Sequence, residues 1–102
     1  MHPLIETNRE AIASLCRRHG VRRLEVFGSI LSSDFDARRS DVDVLVEFEA
    51  AVASSFGNLL DLKEALERLF ARPVDLIEAG TIRNRRLRHH IERRKSPVYV
   101  AA

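Results

Sequence analysis

Residues 42–48, VDVLVEF, restrict the folds open to this chain more than any other stretch. Val42, Val44, Val46 and Phe48 fall on one side of an extended backbone, and Asp41, Asp43, Leu45 and Glu47 fall on the other. A strand with one wholly apolar face needs a second layer packed against it. At its mouth stand two aspartates one residue apart, preceded by FGSILSSDFDARRS. Paired like charges cost stability unless a cationic group lies between them.

The neighbouring segments supply the second layer. Residues 7–19 predict a helix, with Thr7 to Glu10 as a capping box and Ile5, Ala11, Ile12, Leu15 and Cys16 at helical spacing. Gly20 ends it, and Val21–Phe27 predicts a short strand. Gly28 breaks that strand, Ser29 is placed to cap the next segment, and residues 32–40 read as a polar loop after at most a helical turn. Residues 50–57 read as a small-residue connection. Leu59, Leu62, Leu66, Leu69 and Phe70 then mark an amphipathic helix from about Asn58 to Ala71. Pro73 stops it, Val74–Ile77 predicts a strand, and a helix over 82–95 carries Ile82, Leu87 and Ile91 as its apolar edge. SPVYV predicts a last edge strand. The order α, β, β, α, β, α, β predicts one α/β domain over 1–102, a layered sheet with its helices on one face.

At 102 residues the chain can bury one core and no second lobe. Seventeen Lys and Arg against fifteen Asp and Glu leave a net charge of +2, too small to predict bulk nucleic-acid binding. A single cysteine, Cys16, excludes an internal disulfide, and its apolar neighbours predict a buried thiol. The N-terminal MHPLIETNRE has neither a basic nor an apolar leader segment, and no apolar run is long enough to span a bilayer, so a cytoplasmic protein without membrane contact is expected.

Alternation places Asp41 and Asp43 on one side of a strand with Cα atoms about 6.6 Å apart. That spacing suits two carboxylates flanking divalent ions, which stand about 3.5–4 Å apart in phosphoryl-transfer sites. Asp75 alternates against Val74 and Leu76 and would add a third carboxylate if its strand lies beside the first. Such hard oxygen ligands select magnesium or manganese over zinc. Gly28 lets an anion approach the backbone, and the turn after it offers amide N–H groups and the Ser29 hydroxyl. Asp-x-Asp alone also occurs on ordinary strand edges. The joint order of strand, Gly-Ser, polar loop, Asp-x-Asp, amphipathic helix and Asp-bearing strand is what points to nucleotide chemistry.

VFGSIL, SDVDVLVEF and RPVDLIEAG together resemble the nucleotidyltransferase domains of the DNA polymerase beta superfamily. More narrowly, they resemble the minimal nucleotidyltransferases (MNT proteins) that serve as antitoxins to HEPN-domain toxins. The resemblance spans roughly residues 20–80. It implies a polymerase beta-like fold, a mixed sheet with flanking helices. By motif position it implies that Gly28 and Ser29 contact the nucleotide, that Asp41, Asp43 and Asp75 bind metal, and that Asp75 is the general base. It further implies transfer of AMP from ATP to a tyrosine of a HEPN ribonuclease toxin. Eleven residues, 30–40, separate Gly-Ser from Asp41 where the family usually has ten. That departure motivates an alternative, an antitoxin that neutralises its toxin by binding alone.

The segment TIRNRRLRHHIERRK gathers seven of the seventeen Lys and Arg, with His89 and His90. It reads equally as a contact surface for an acidic partner or for RNA and as a solvated helix face. It holds no interleaved aromatic residues, so base stacking and direct nucleic-acid reading are not expected. An open edge strand leaves room for self-association or association with a partner.

Overall fold

The computed structural model describes residues 1–36, 38–52 and 56–102. Ala37, inside the expected 32–40 loop, and Ala53, Ser54 and Ser55, inside the expected 50–57 connection, lie outside the described residues. In chain order the elements are α1 (Pro3–Glu6), α2 (Arg9–His19), β1 (Val21–Phe27), a 3-10 turn (Gly28–Leu31), β2 (Val42–Phe48), α3 (Phe56–Phe70), β3 (Val74–Glu78), α4 (Arg85–Arg94) and β4 (Ser96–Val100).

Among the described residues the strands form one sheet in the order β3-β2-β1-β4. β1 runs antiparallel to β2 and to β4, whereas β2 and β3 are parallel. A parallel neighbour requires a crossover, and α3 provides it. The SPVYV segment is an edge strand, as expected. The result is the expected mixed sheet with flanking helices.

The helices do not share one face, and this corrects the layered arrangement read from the sequence. Ile5, Ile12, Leu15 and Cys16 from α1 and α2, with Leu62, Ala65, Leu66 and Phe70 from α3, pack over Leu24, Val26, Val42, Val44, Val46 and Val74. On the other side of the sheet Phe27 and Leu45 meet Ile91 of α4, with Ile77, Ala79 and Ile82 around them. Each fully buried aliphatic side chain contributes about 1.5–3 kcal/mol, so the larger cluster holds the fold and the smaller one seats α4. Leu87, expected on the apolar edge of that helix, is 47% exposed, while Ile91 is 1% exposed. α4 touches the sheet through one deep side chain.

The N-terminus also departs from expectation. Pro3 begins a separate short helix, in which His2 Nδ1 accepts from the Leu4 amide at 3.0 Å. The Thr7 hydroxyl donates to the Pro3 carbonyl, so no Thr7–Glu10 capping box forms. Asn8 stands at the N-cap of α2 without a side-chain cap bond, its Nδ2 donating instead to the Leu4 carbonyl at 2.7 Å. α4 begins at Arg85 rather than 82 because Asn84 Oδ1 caps the Leu87 amide at 3.1 Å. No helix among the described residues is long and apolar enough to cross a membrane.

Candidate active site

The face of the sheet beneath α4 carries the expected site residues. β1 and β2 pair with Phe27 opposite Asp43, and β2 and β3 pair with Asp43 opposite Asp75. Directly paired positions send their side chains to the same face. Asp75 and Asp43 therefore stand side by side, and Asp41, two residues upstream, shares the alternation. Asp43 is half-buried, whereas Asp41 and Asp75 are exposed. Burial, then the charge of Asp75 and then that of Asp41, raise the Asp43 carboxyl above its ordinary value. Three acidic groups thus act on one another electrostatically at the end of two parallel strands.

Gly28 closes the site from the β1 side. Its φ is +75°, and a Cβ placed there would lie 2.2 Å from Asp43 Oδ2. Any other residue would be strained and would collide with the carboxylate. The 3-10 turn after β1 leaves Ser29 half-buried, its carbonyl accepting from the Ser32 amide at 2.9 Å. Phe27, not Ser29, occupies the N-cap position of this turn, and no side-chain cap bond forms there.

The eleven-residue spacing does not separate Gly28 from the aspartates. Asp36 and Ser40 fold the loop back on itself: the Ser40 amide donates to the Asp36 carbonyl at 2.8 Å, and the Asp36 amide donates to Ser40 Oγ at 2.9 Å. Arg72 then clamps the base of the loop, its Nε and Nη2 donating to the Ser40 carbonyl at 3.1 and 2.9 Å. The Val42 amide donates to the Pro73 carbonyl at 3.0 Å. These bonds fix the start of β2 against the start of β3, where Asp41 and Asp75 stand. Arg72 was not singled out by sequence reasoning, since an arginine before a proline carries no distinguishing pattern.

Among the described residues no three His, Cys, Asp or Glu side chains close on a single metal-sized position. The three aspartates share one face of the sheet without forming such a cluster. Their chemistry fits a divalent cation: all donors are hard carboxylate oxygens, and the central one is held at an electrostatic cost that a cation would relieve.

Beside the Gly28–Ser29 turn lies a cavity of about 330 Å³. Gly28, Ser29, Ser32 and Asp34 line it together with Phe27, Leu31 and Ile91, and His90 and Arg94 of α4 complete the wall. In the sequence these two are part of an undivided basic segment. The signal that could have found them is their i, i+4 spacing around Ile91.

Residues 9–97 match the profile of the nucleotidyltransferase domain family. The chain belongs to that family. A Thermococcus cleftensis protein adenylyltransferase, MntA, is 37% identical over 70 residues, which cover 69% of this chain and 68% of the relative. A Methanocaldococcus jannaschii protein bearing the provisional name of protein adenylyltransferase is 33% identical over 75 residues, 74% of each chain. A solved structure provisionally described as a minimal nucleotidyltransferase superposes with a TM-score of 0.74 at 37% identity, covering 95% of this chain and 96% of that one. The nucleotidyltransferase fold is shared more distantly by the MNT antitoxin complex with the tri-AMPylated HEPN toxin of Shewanella oneidensis, with a TM-score of 0.68 at 17% identity, covering 95% of this chain and 73% of that one. This chain is thus a nucleotidyltransferase of the protein adenylyltransferase kind.

Proposed function

We propose that this nucleotidyltransferase is a metal-dependent antitoxin that moves AMP from ATP to a tyrosine of a HEPN ribonuclease toxin in the cytoplasm. The observation that supports this reading most is the pairing of Asp43 with Asp75 under Gly28, which gathers the acidic groups against a backbone turn suited to phosphate. Asp41, Asp43 and Asp75 would hold magnesium or manganese. A cation there supplies charge that polarises the α-phosphate and neutralises the departing pyrophosphate. Gly28 and Ser29 would orient the triphosphate through backbone N–H groups and the hydroxyl. Asp75, exposed at the sheet edge, would take the proton of the incoming hydroxyl as its oxygen bonds to the α-phosphorus. The bond from that phosphorus to the bridging oxygen breaks, and pyrophosphate leaves.

The HEPN partner is suggested by the distant fold relatives, which include an MNT antitoxin bound to its toxin and a toxin–antitoxin structure with AMP-PNP. The test is incubation with α-labelled ATP, magnesium and a HEPN toxin, and then peptide mass spectrometry. Label on a toxin tyrosine, lost with Asp41→Ala or Asp43→Ala, is the expected result. Aspartate variants that label the toxin as well as the unmodified protein would overturn the reading. Neutralisation of the toxin in cells by those variants at equal dose would favour an antitoxin acting by binding alone.

A further inference from the structure

Five of the ten residues of α4 are arginine, two are histidine, and among them only Ile91 is buried. Glu92, the one carboxylate in the helix, pairs with Lys95 at 2.9 Å. None of Arg85, Arg86, Arg88, Arg93 and Arg94 is ion-paired among the described residues. A solvated helix face ordinarily mixes both signs, and like charges one turn apart destabilise a helix. Helix stability therefore does not account for this density of arginine. An anion seated against it would.

Two attachments aim the helix. Ile91 plugs between Phe27 and Leu45, and Lys95, just past the last turn, meets the buried Glu25 of β1 at 3.0 Å. They bring the end of α4 beside Gly28 and Ser29, so that His90 and Arg94 line the same cavity. A second cavity of about 400 Å³, lined by Arg86, His89, His90, Arg93 and Arg94, shares those two side chains with the first. The two cavities thus form a cationic trough that starts at the Gly28–Ser29 turn and continues along α4. In the first cavity every cationic side chain comes from α4.

We propose that Arg94, with His90, binds the β- and γ-phosphates of the nucleoside triphosphate, and that Arg86 and Arg93 extend the trough that receives the released pyrophosphate. This rests on the adenylyltransferase reading. When the acceptor oxygen bonds to the α-phosphorus, the electron pair of the breaking bond leaves on pyrophosphate, and the Arg94 guanidinium neutralises that charge. Arginine suits the task because its planar fork donates two parallel hydrogen bonds to phosphate oxygens. His90 has a ring N–H to donate in either protonation state.

The test is calorimetric titration of the full chain with ATP and with AMP in the presence of magnesium. It compares the unmodified protein, Arg94→Gln, Arg94→Lys and, as a control for lost charge, Arg17→Gln on α2. Arg94 is exposed, and matching thermal melts establish that the variants fold. Loss of a charge-assisted phosphate contact weakens ATP binding in Arg94→Gln by about tenfold or more, leaves AMP affinity unchanged, and is partly restored in Arg94→Lys. Arg17→Gln binds ATP normally. ATP affinity in Arg94→Gln within twofold of the unmodified protein overturns the proposal while leaving the adenylyltransferase reading in place. An equal loss for AMP also overturns it, since the residue would then shape the site and not grip the terminal phosphates. An unmodified protein that binds no ATP sinks both.

Discussion

Gly28 meets two demands at one position. Its backbone is left-handed, and the space where a Cβ would stand is filled by Asp43 Oδ2. Gly28→Ala should therefore cost about 1–2 kcal/mol from the backbone alone and push Asp43 away from Asp75. Chemical denaturation should register the loss, and nucleotide transfer should fall with it. Asp43 itself carries the opposite kind of strain. Its carboxyl is raised by burial and by its two acidic neighbours, so its ionised form is disfavoured in the folded chain. Its favourable contribution is fully present below the ordinary carboxylate value and is lost as pH rises through the raised folded value. Asp43→Asn removes that dependence. In chelator, the variant should melt above the unmodified protein at neutral pH, with the gap closing on acidification. Magnesium should then raise the melting temperature of the unmodified protein and not that of the variant. A gap that is absent or reversed at neutral pH would contradict the like-charge account.

At the scale of elements, the site depends on how β1, β2 and β3 are aligned and on how α4 is pinned. The Asp-x-Asp strand was legible because alternation alone fixes which residues share a face. Its direct pairing with Asp75 was not, since sequence sets a strand's faces but not its neighbour or register. The position of α4 was hidden for a different reason. A helix of seven basic residues holds one buried anchor, Ile91, and one apolar side chain cannot announce which side of a sheet it serves. Ile91→Ala should cost about 3 kcal/mol and free the helix, which a shift in denaturation midpoint would register. Glu25 is 4% exposed and meets Lys95 and, at 3.4 Å, Arg23. Glu25→Gln should cost on the order of 2 kcal/mol by leaving those cations without a carboxylate. The end of α3 is tied to β3 by Glu67, whose carboxylate accepts from the Val74 amide at 3.0 Å. That bond first, then Lys63, hold Glu67 below its ordinary value. This stabilisation is present above the ordinary carboxylate value and is lost as pH falls through the lowered one. The stability difference between the unmodified chain and Glu67→Gln, about 1 kcal/mol at neutral pH, should vanish in acid.

For the whole molecule, a net charge of +2 conceals a separation of sign. Asp41, Asp43 and Asp75 stand together at the mouths of β2 and β3, whereas five arginines share α4. Composition could not reveal this, because it sums over the fold that creates it. Much of the larger core, by contrast, was readable from two helical stripes and one alternating strand, which leave out Ile30 and Ala65. Cys16 lies at its centre, fully buried, with its thiol pushed up to about 12 by burial. Reaction with a thiol reagent should therefore proceed only at the rate of unfolding, and it should quicken in Ile91→Ala only if the two faces of the sheet unfold together. The central claim is that Asp41, Asp43 and Asp75, on one face of the sheet beside Gly28, perform nucleotide transfer. Parallel reactions with α-labelled and γ-labelled ATP, using the unmodified chain and Asp75→Asn with the partner toxin, address it most directly. The account predicts that the toxin takes up only the α label and only from the unmodified chain; γ label on the toxin, or undiminished transfer by Asp75→Asn, would contradict it.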